Sequence, residues 1–348
     1  RAGINPEDIE EVYMGNAEGA PGNIGRVIAL EAELPVTVPG IQFDRQCASG
    51  LETICMAAAM IESGHGEIYV AGGAESQSNN PYFLSKTKRP YSYAFPSFSY
   101  VQMAPPKYGN PDMGITAENI AEQYNITREE QDKFALSSQK KAATAIENNQ
   151  FANEIAPIVI KTRREEIIFD TDEFVRPNTT LESLAKLRPA FKKDGTVTAG
   201  NASGINDGAA CVILMSEARA KELELEVLAY IDGYASAGLD NKVMGLGPVP
   251  ATQKVLEKLS LNIEDIDLFE MNEAFAAQSI AVTRLLNLDQ NKVNTRGGAI
   301  SLGHPIGASG CRVLVTLVHA LINDNKEKGV CSLCIGGGQG IAMVISRK

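Results

Sequence analysis

Two stretches of this chain, 257 residues apart, read almost alike. Asp8-Ile-Glu-Glu-Val-Tyr-Met-Gly15 near the start is echoed by Asp265-Ile-Asp-Leu-Phe-Glu-Met-Asn272. Ala48-Ser-Gly50 returns as Ala308-Ser-Gly310, and Ala71-Gly-Gly73 as Ile335-Gly-Gly337, at offsets of 260 and 264 residues. Gly/Ala/Ser tripeptides recur by chance, but three matches in one order, with offsets that rise as small insertions would make them, indicate a duplicated unit. With 348 residues, 44% of them hydrophobic, there is enough chain for one large duplicated architecture and its core.

Each copy reads as strand, helix, strand, which favours an α/β fold with mixed sheets. Residues 67–71, 209–215, 330–335 and 341–345 are short apolar runs, as buried strands are. In the second copy the last two runs are joined by a Gly-rich turn. In the first, the stretch from Gly73 to residue 209 separates the corresponding pair, so an inserted domain lies between. The expected division is a first half of residues 1–77 with 205–228, an insertion at 78–204, and a second half at 229–348. Within the insertion, 79–114 is rich in Pro, Ser, Tyr and Asn and reads as loop. Helical patterning follows at 117–124 and at 128–149, the latter opened by the capping-box sequence Thr127-Arg-Glu-Glu130.

A net charge of −11 argues against nonspecific nucleic-acid binding, which needs a basic face. It leaves room for a small anionic ligand. Between residues 161 and 193, eight basic side chains stand against six acids. That window is either a solvated mixed surface or a landing site for a polyphosphate. No run approaches the roughly 18 apolar residues that cross a bilayer, so no membrane is expected. The chain opens at Arg1, which leaves an N-terminal targeting segment unassessed. Six scattered cysteines do not read as a disulfide framework, and a reducing cytoplasm is the expected location.

Chemistry concentrates in four places. Cys47 precedes a run of strong helix formers, Leu51 to Ser63, closed by Gly64. At a helix N-terminus, unpaired N–H groups and the dipole favour a thiolate, although most buried cysteines are inert. His304, in Ser301-Leu-Gly-His-Pro-Ile-Gly-Ala-Ser-Gly310, is one of only three histidines. Its flanking glycines allow close approach. His65 reads as a surface residue and His319 as a satisfied core residue. Cys334 ends a strand against Ile-Gly-Gly-Gly-Gln-Gly340, where backbone N–H groups can form an anion hole. A dinucleotide reading of these glycines is weak, since neither its helix nor its acidic partner is expected to follow. Asn272, in Glu270-Met-Asn-Glu-Ala-Phe275, stands at a strand tip, where an ordinary helix cap is the plain alternative. Three histidines without ligand-like spacing offer no metal site.

These stretches together resemble the thiolase family of acyl-CoA-dependent enzymes, over nearly the whole chain and with every motif in order. The resemblance implies a duplicated α/β fold of two mixed five-stranded sheets layered with helices (αβαβα), plus an inserted loop domain. It implies that Cys47 attacks a thioester while His304 takes its proton, and that Cys334 removes the α-proton of a second acetyl-CoA. One oxyanion hole is expected from His304 and a water on Asn272, the other from the N–H groups of Cys47 and Gly336. It further implies CoA contacts at Arg176, Ser183 and Ser203, and pocket walls at Met113, Phe191, Met244 and Phe275, for each of which ordinary core is the alternative. No cofactor is expected beyond CoA thioesters as substrates, and the chain is expected to form a homo-oligomer, a dimer or tetramer.

The sequence departs from the family in three places. Cys47 comes early, and the opening strand and helix that the resemblance implies for the first half are not found before it. The sequence is therefore expected to begin inside that helix, either because further residues precede Arg1 or because the protein is naturally short. A true loss would expose a sheet edge. Asp44 stands where the family usually has Asn, and an ionised carboxylate close to Cys47 would raise its pKa. Residues 85–112, which in the family help shape the acyl pocket, differ most. The expected activity is acetyl-CoA C-acetyltransferase, condensing two acetyl-CoA to acetoacetyl-CoA. The alternatives are a degradative 3-ketoacyl-CoA thiolase, a fatty-acid-type condensing enzyme (which has no match for Cys334), and an inactive acyl-CoA- or lipid-binding relative.

Overall fold

The computed structural model describes residues 1–19, 22–87, 89, 95–99 and 101–347. The first half contains β1 (Glu11–Gly15), α1 (Ile24–Glu31), β2 (Gly40–Phe43), α2 (Ser49–Glu62) and β3 (Ile68–Glu75). The insertion holds α3 (Met113–Gln123), α4 (Arg128–Glu147), β4 (Ile158–Lys161), β5 (Glu166–Phe169) and α5 (Leu181–Ala185). The chain then returns to the first half with β6 (Gly208–Met215) and α6 (Glu217–Glu222). The second half is β7 (Tyr230–Gly238), α7 (Pro248–Leu259), β8 (Leu268–Met271), α8 (Ala276–Leu285), α9 (Ala299–Leu302), α10 (Ile306–Asn323), β9 (Lys328–Ile335) and β10 (Gln339–Ser346).

The duplication is visible strand by strand. One sheet runs β2-β1-β3-β6 and the other β7-β10-β9-β8. The parallel pair β1/β3 registers Val12 on Val70, and its counterpart β8/β9 registers Phe269 on Val330. The antiparallel pair β3/β6 sets Ile68 against Met215, and β9/β10 sets Lys328 against Ser346. The same registers correct one of the sequence matches. Ala71 corresponds to Cys331, four residues before Ile335, so the two Gly-Gly pairs are not equivalent. Gly73 lies inside β3, where a Cβ would stand 1.9 Å from the Gly307 carbonyl oxygen. Gly337 and Gly338 instead turn the chain from β9 to β10 with φ of 85° and 88°.

Alternation along the strands builds five layers. Tyr13, Tyr69, Leu333 and Met343 face a central core shared with α2 and α10. Val12, Met14 and Ile68 face the other way, onto α1 and the neighbourhood of α6. Val330, Ala342 and Val344 face α7 and α8. Each sheet has four strands among the described residues, where five were expected. In the second half the fifth position shrinks to a single parallel bridge between Val293 and Phe269. In the first half β6 has one neighbour, β3, whereas its counterpart β10 lies between two. Along β6, Leu214 is buried while Ala209 and Cys211 are exposed. Nor does the chain open inside a helix: its first element is a 3-10 turn at Pro6–Asp8.

α10 is 18 residues long with mean hydropathy 1.4, enough by length and composition to span a bilayer, contrary to the sequence reading. It lies inside the protein, with 67% of the stretch buried. It crosses α2 so closely that a Cβ on Gly310 would stand 2.3 Å from Leu51 N, and one on Gly50 2.8 Å from Gly307 O. The motif that betrayed the duplication is therefore the contact between its two copies.

In the insertion, α4 carries the full capping box, Thr127 and Glu130 each bonding the other's backbone N–H. The hairpin β4/β5 was not foreseen. Ile158, Val159, Ile160, Ile167, Ile168 and Phe169 are all exposed, so no alternation between an inner and an outer face marks it. Part of the expected loop 79–114 (residues 88, 90–94 and 100) lies outside the described residues.

Candidate active site

Cys47 sits two residues before α2, at the end of the tight segment that follows β2. Gln46, immediately before it, has φ of +49°, a conformation that side chains adopt at a cost of about 1–3 kcal/mol and that gathers at functional sites. Two neighbours hold it there. Asp44 Oδ1 accepts from Gln46 N at 2.8 Å, and Ser49 Oγ donates to Gln46 O at 2.7 Å. Asp44 is thus a clamp on the turn that carries Cys47. It also opposes thiolate formation at Cys47, but less than burial does and less than Glu18, the nearer carboxylate in effect.

Around the Cys47 sulfur the second half of the chain closes. The backbone N–H groups of Gly336 and of Cys47 itself favour the anion of the sulfur. Burial outweighs them and pushes the thiol up to about 11. Cys334, the penultimate residue of β9, is fully buried, and its thiol is driven further up by burial and then by the nearby Cys47. His304 is 7% exposed, and burial, followed by the charge of Arg312, brings its imidazole down to about 4. Burial therefore favours two thiols and a neutral imidazole at neutral pH.

The imidazole has defined neighbours on both nitrogens. Ser309 Oγ lies 2.6 Å from Nδ1 and donates its own proton to Pro305 O at 2.9 Å. A hydroxyl whose proton is so used must accept, so Nδ1 carries the hydrogen and Nε2 the lone pair. Nε2 faces Asn272 Nδ2 at 3.5 Å. Asn272 is placed by its own N–H, which donates to Ser332 O at 3.0 Å across the end of β8 and β9, and its Oδ1 has no hydrogen-bond partner among the described residues. Asn206 Oδ1 accepts from His304 N at 3.1 Å.

The expected pocket walls gather on Cys334. Met244, Phe275 and Met113 form one apolar cluster with it, together with Ala117, Val197, Ala202 and Ala274. Phe191 stands at its outer end, half exposed and edge-on to Phe275 at 6.2 Å between centroids. Beyond it lies a concavity of about 360 Å³ lined by Arg188, Phe191, Lys192 and Lys193 among others. Ser203 is tied to the same wall, its N–H donating to Ala274 O at 3.0 Å. Arg176 lies across Phe174, 5.9 Å from the ring, and a Cβ on Gly204 would touch that ring, so Arg176 is near Ser203. Ser183 is exposed, with its hydroxyl engaged in the capping box of α5, donating to Thr180 O.

His65 is exposed, as its place after the helix stop implied, whereas His319 is half-buried rather than a core residue. Among the described residues no cluster of three or more His, Cys, Asp or Glu could hold a metal ion. Sequence reasoning missed Gln46, Ser309 and Met103. Ser309 lay in plain view, but within a tripeptide read only as a sign of duplication. Met103, whose Sδ would lie 2.5 Å from a Cβ on Gly336, comes from the loop that has no periodicity.

Comparison with known proteins now adds to this geometry. Residues 1–218 match the family model described as "Thiolase, N-terminal domain", and residues 225–347 match "Thiolase, C-terminal domain". An acetyl-CoA acetyltransferase of Pseudomonas aeruginosa is 50% identical over 353 residues, spanning 100% of this chain and 90% of the relative. The crystal structure of the Bacillus anthracis acetyl-CoA acetyltransferase superposes with a TM-score of 0.94 at 47% identity, covering 99% of this chain and 88% of that one. Human mitochondrial 3-ketoacyl-CoA thiolase gives 0.91 at 41% identity, covering 100% and 89%.

Proposed function

Because this chain belongs to the thiolase family, we propose that it is an acetyl-CoA C-acetyltransferase, an acyltransferase that joins two acetyl-CoA into acetoacetyl-CoA and CoA and runs reversibly. The observation that carries the reading is the convergence of two turns: a Cβ on Gly336, two residues after Cys334, would stand 3.7 Å from Gln46 Cγ, next to Cys47, and Cys47 is near enough to help raise the Cys334 thiol.

The roles follow from the protonation states. His304 Nε2 takes the proton of Cys47 as the sulfur attacks the acetyl carbonyl of the first acetyl-CoA. The oxygen that becomes negative is received by the N–H groups of Cys47 and Gly336. The carbon–sulfur bond to CoA breaks, and the departing CoA sulfur takes the proton of Cys334, leaving acetyl-Cys47, a Cys334 thiolate and an imidazolium. That thiolate removes an α-proton from the second acetyl-CoA. The enolate oxygen is held by His304 and by a water on Asn272. The enolate carbon attacks acetyl-Cys47, a carbon–carbon bond forms, and the Cys47 sulfur leaves and recovers its proton from His304. Both thiols are restored.

The CoA moiety would run from Ser203, past Phe191, toward Arg176, Ser183 and the basic residues lining the 360 Å³ concavity. A planar guanidinium over Phe174 suits phosphate or adenine. Met103, Met113, Met244 and Phe275 crowd Cys334 and Gly336, which supports a two-carbon acyl group. No cofactor beyond the thioesters enters these steps. They need Cys47 and Cys334 as thiols, which favours the cytoplasm. Exposed apolar side chains at Val36, Tyr82, Phe83 and Ile205 favour a homo-oligomer, a dimer or tetramer, which light scattering would count.

Two measurements test the reading. Turnover of acetoacetyl-CoA is expected to exceed that of a ten-carbon 3-ketoacyl-CoA, and the reverse order would make the enzyme a degradative 3-ketoacyl-CoA thiolase. Radiolabelled acetyl-CoA is expected to leave label on Cys47. A folded but unlabelled protein would be a binding relative instead.

A further inference from the structure

The carboxylate of Glu75, the last residue of β3, is 4% exposed and takes four hydrogen bonds from two segments that flank the catalytic sulfur. From the loop after β1 come Asn16 Nδ2 at 2.8 Å, Ala17 N at 2.9 Å and Glu18 N at 3.2 Å. From the first turn of α10 comes Gly307 N at 2.9 Å, three residues after His304. We propose that Glu75 is a positioning residue for the acyl-transfer site, pinning the His304 loop of one half of the fold against the first half, which carries Cys47. This rests on the acyltransferase reading above and adds to it a residue that touches no substrate.

The duplication explains why an acid is needed here. By the register of the sheets and the crossing of the helices, Gly307 at the start of α10 occupies the place that Cys47 occupies before α2. Both positions present unpaired N–H groups and the positive end of a helix dipole. At α2 that capacity is left for a negative oxygen of the substrate. At α10 it is filled permanently by Glu75, which thereby fixes the helix that His304 precedes. Reach matters as much as charge. The two oxygens are shared between the loop and the helix, each accepting from donors in fixed places, and a Cβ on Gly73 would already strike Gly307 O, so this junction has no slack. A displacement of about 1 Å in a catalytic group costs about 100-fold in rate.

The test uses Glu75→Gln, Glu75→Asp and, as a control, Asp267→Asn in the full chain. Asp267 precedes β8, at the end away from Asn272, and its carboxylate likewise accepts two backbone N–H groups, from Glu327 and Lys328 at 3.0 Å. Iodoacetamide alkylation of Cys47, followed by mass spectrometry at pH 8, is read beside kcat and KM for acetyl-CoA. Glu75→Gln is expected to slow alkylation and to lower kcat at least about 10-fold with KM within about 2-fold, while Asp267→Asn keeps wild-type kinetics. Glu75→Asp, which keeps the charge but loses the reach, is expected to be impaired as well. Were Glu75 acting by charge alone, its loss would ease thiolate formation. Faster alkylation in Glu75→Gln, or full activity in Glu75→Asp, would overturn the proposal. Should Glu75→Gln not fold, the Asp variant decides. Absence of acetyl transfer to Cys47 in the wild type would instead sink the acyltransferase reading.

Discussion

Ser309→Ala should disable His304, the base proposed above, without touching substrate. In the native site Ser309 Oγ bonds His304 Nδ1 at 2.6 Å while donating to Pro305 O. Removing the hydroxyl leaves Nδ1–H as a buried donor without a partner, at a cost of about 1–3 kcal/mol. The ring can relieve that cost by moving its hydrogen to Nε2, which turns the base away from Cys47, or by rotating. Either route depletes the productive state. If all of it appears in the barrier, at 1.36 kcal/mol per tenfold, kcat falls about 5- to 150-fold. The loss should stop well short of the ~10⁴-fold that a wrong tautomer causes in a catalytic triad, because no more than the ~1–3 kcal/mol of the unpaired donor enters the barrier. KM for acetyl-CoA should stay within about 2-fold, since Ser309 lies behind the imidazole. Initial rates of condensation and of thiolysis should fall together, because His304 serves both directions. A Ser309→Ala enzyme that keeps more than half of wild-type kcat would refute the tautomer argument.

Cys47 should behave as a thiol with its pKa near 11: alkylation should climb about tenfold per pH unit from pH 8 to 10, and a plateau below pH 9 would contradict the burial that raises it. Burial pushes the Glu270 carboxyl up to about 8, from an ordinary 4.5. The folded protein therefore holds that proton more tightly than the unfolded chain. The resulting stability is complete below about pH 4.5 and is lost as pH rises through 8, by up to about 5 kcal/mol at the alkaline end. Glu270→Gln should flatten the fall of Tm between pH 5 and 9, and an unchanged slope would mean that the Arg312 charge already compensates Glu270. Gly310→Ala should destabilise by about 1–3 kcal/mol or more, since its Cβ would stand 2.3 Å from Leu51 N, and an unchanged Tm would show that the helix crossing can give way.

What could be read from the sequence was whatever announces itself locally. The strands of β3, β9 and β10 are apolar runs, Thr127 and Glu130 spell a helix start, and Cys47, His304 and Cys334 stand in unusual surroundings of glycine and small residues. What could not be read depends on partners far along the chain. The β4/β5 hairpin hides because its apolar residues face solvent on both sides, so no period marks it. Asp44 was read as a charge that opposes the Cys47 thiolate, which it does, but charge was all that could be judged. Its distance to Gln46 N shows that it braces the turn. Glu75 gave no signal at all, since an acid after Ala-Gly-Gly-Ala is unremarkable until four donors converge on it from two other segments.

A duplicated fold begins with two equal helices crossing at its centre, and a single active site requires that they be used unequally. α2 and α10 meet at Gly50 and Gly310, where neither can carry a side chain. That contact brings both N-termini to one side, so two positive helix ends lie side by side. Left alone, they would compete for the same negative oxygen. The sequence resolves the competition by placing a sulfur before one and a carboxylate on the other. Cys47 leaves its own N–H free to join that of Gly336, while Gly307 spends its N–H on Glu75. The imidazole that serves Cys47 then comes from the occupied side, held from behind by Ser309 in the same turn. Each half therefore supplies what the other lacks: a nucleophile from the first, and a fixed base and a second thiol from the second. Expressed alone, either half would carry an incomplete set of reacting groups, and mixing the two separately purified halves should restore acetylation of Cys47 only if the α2/α10 crossing re-forms.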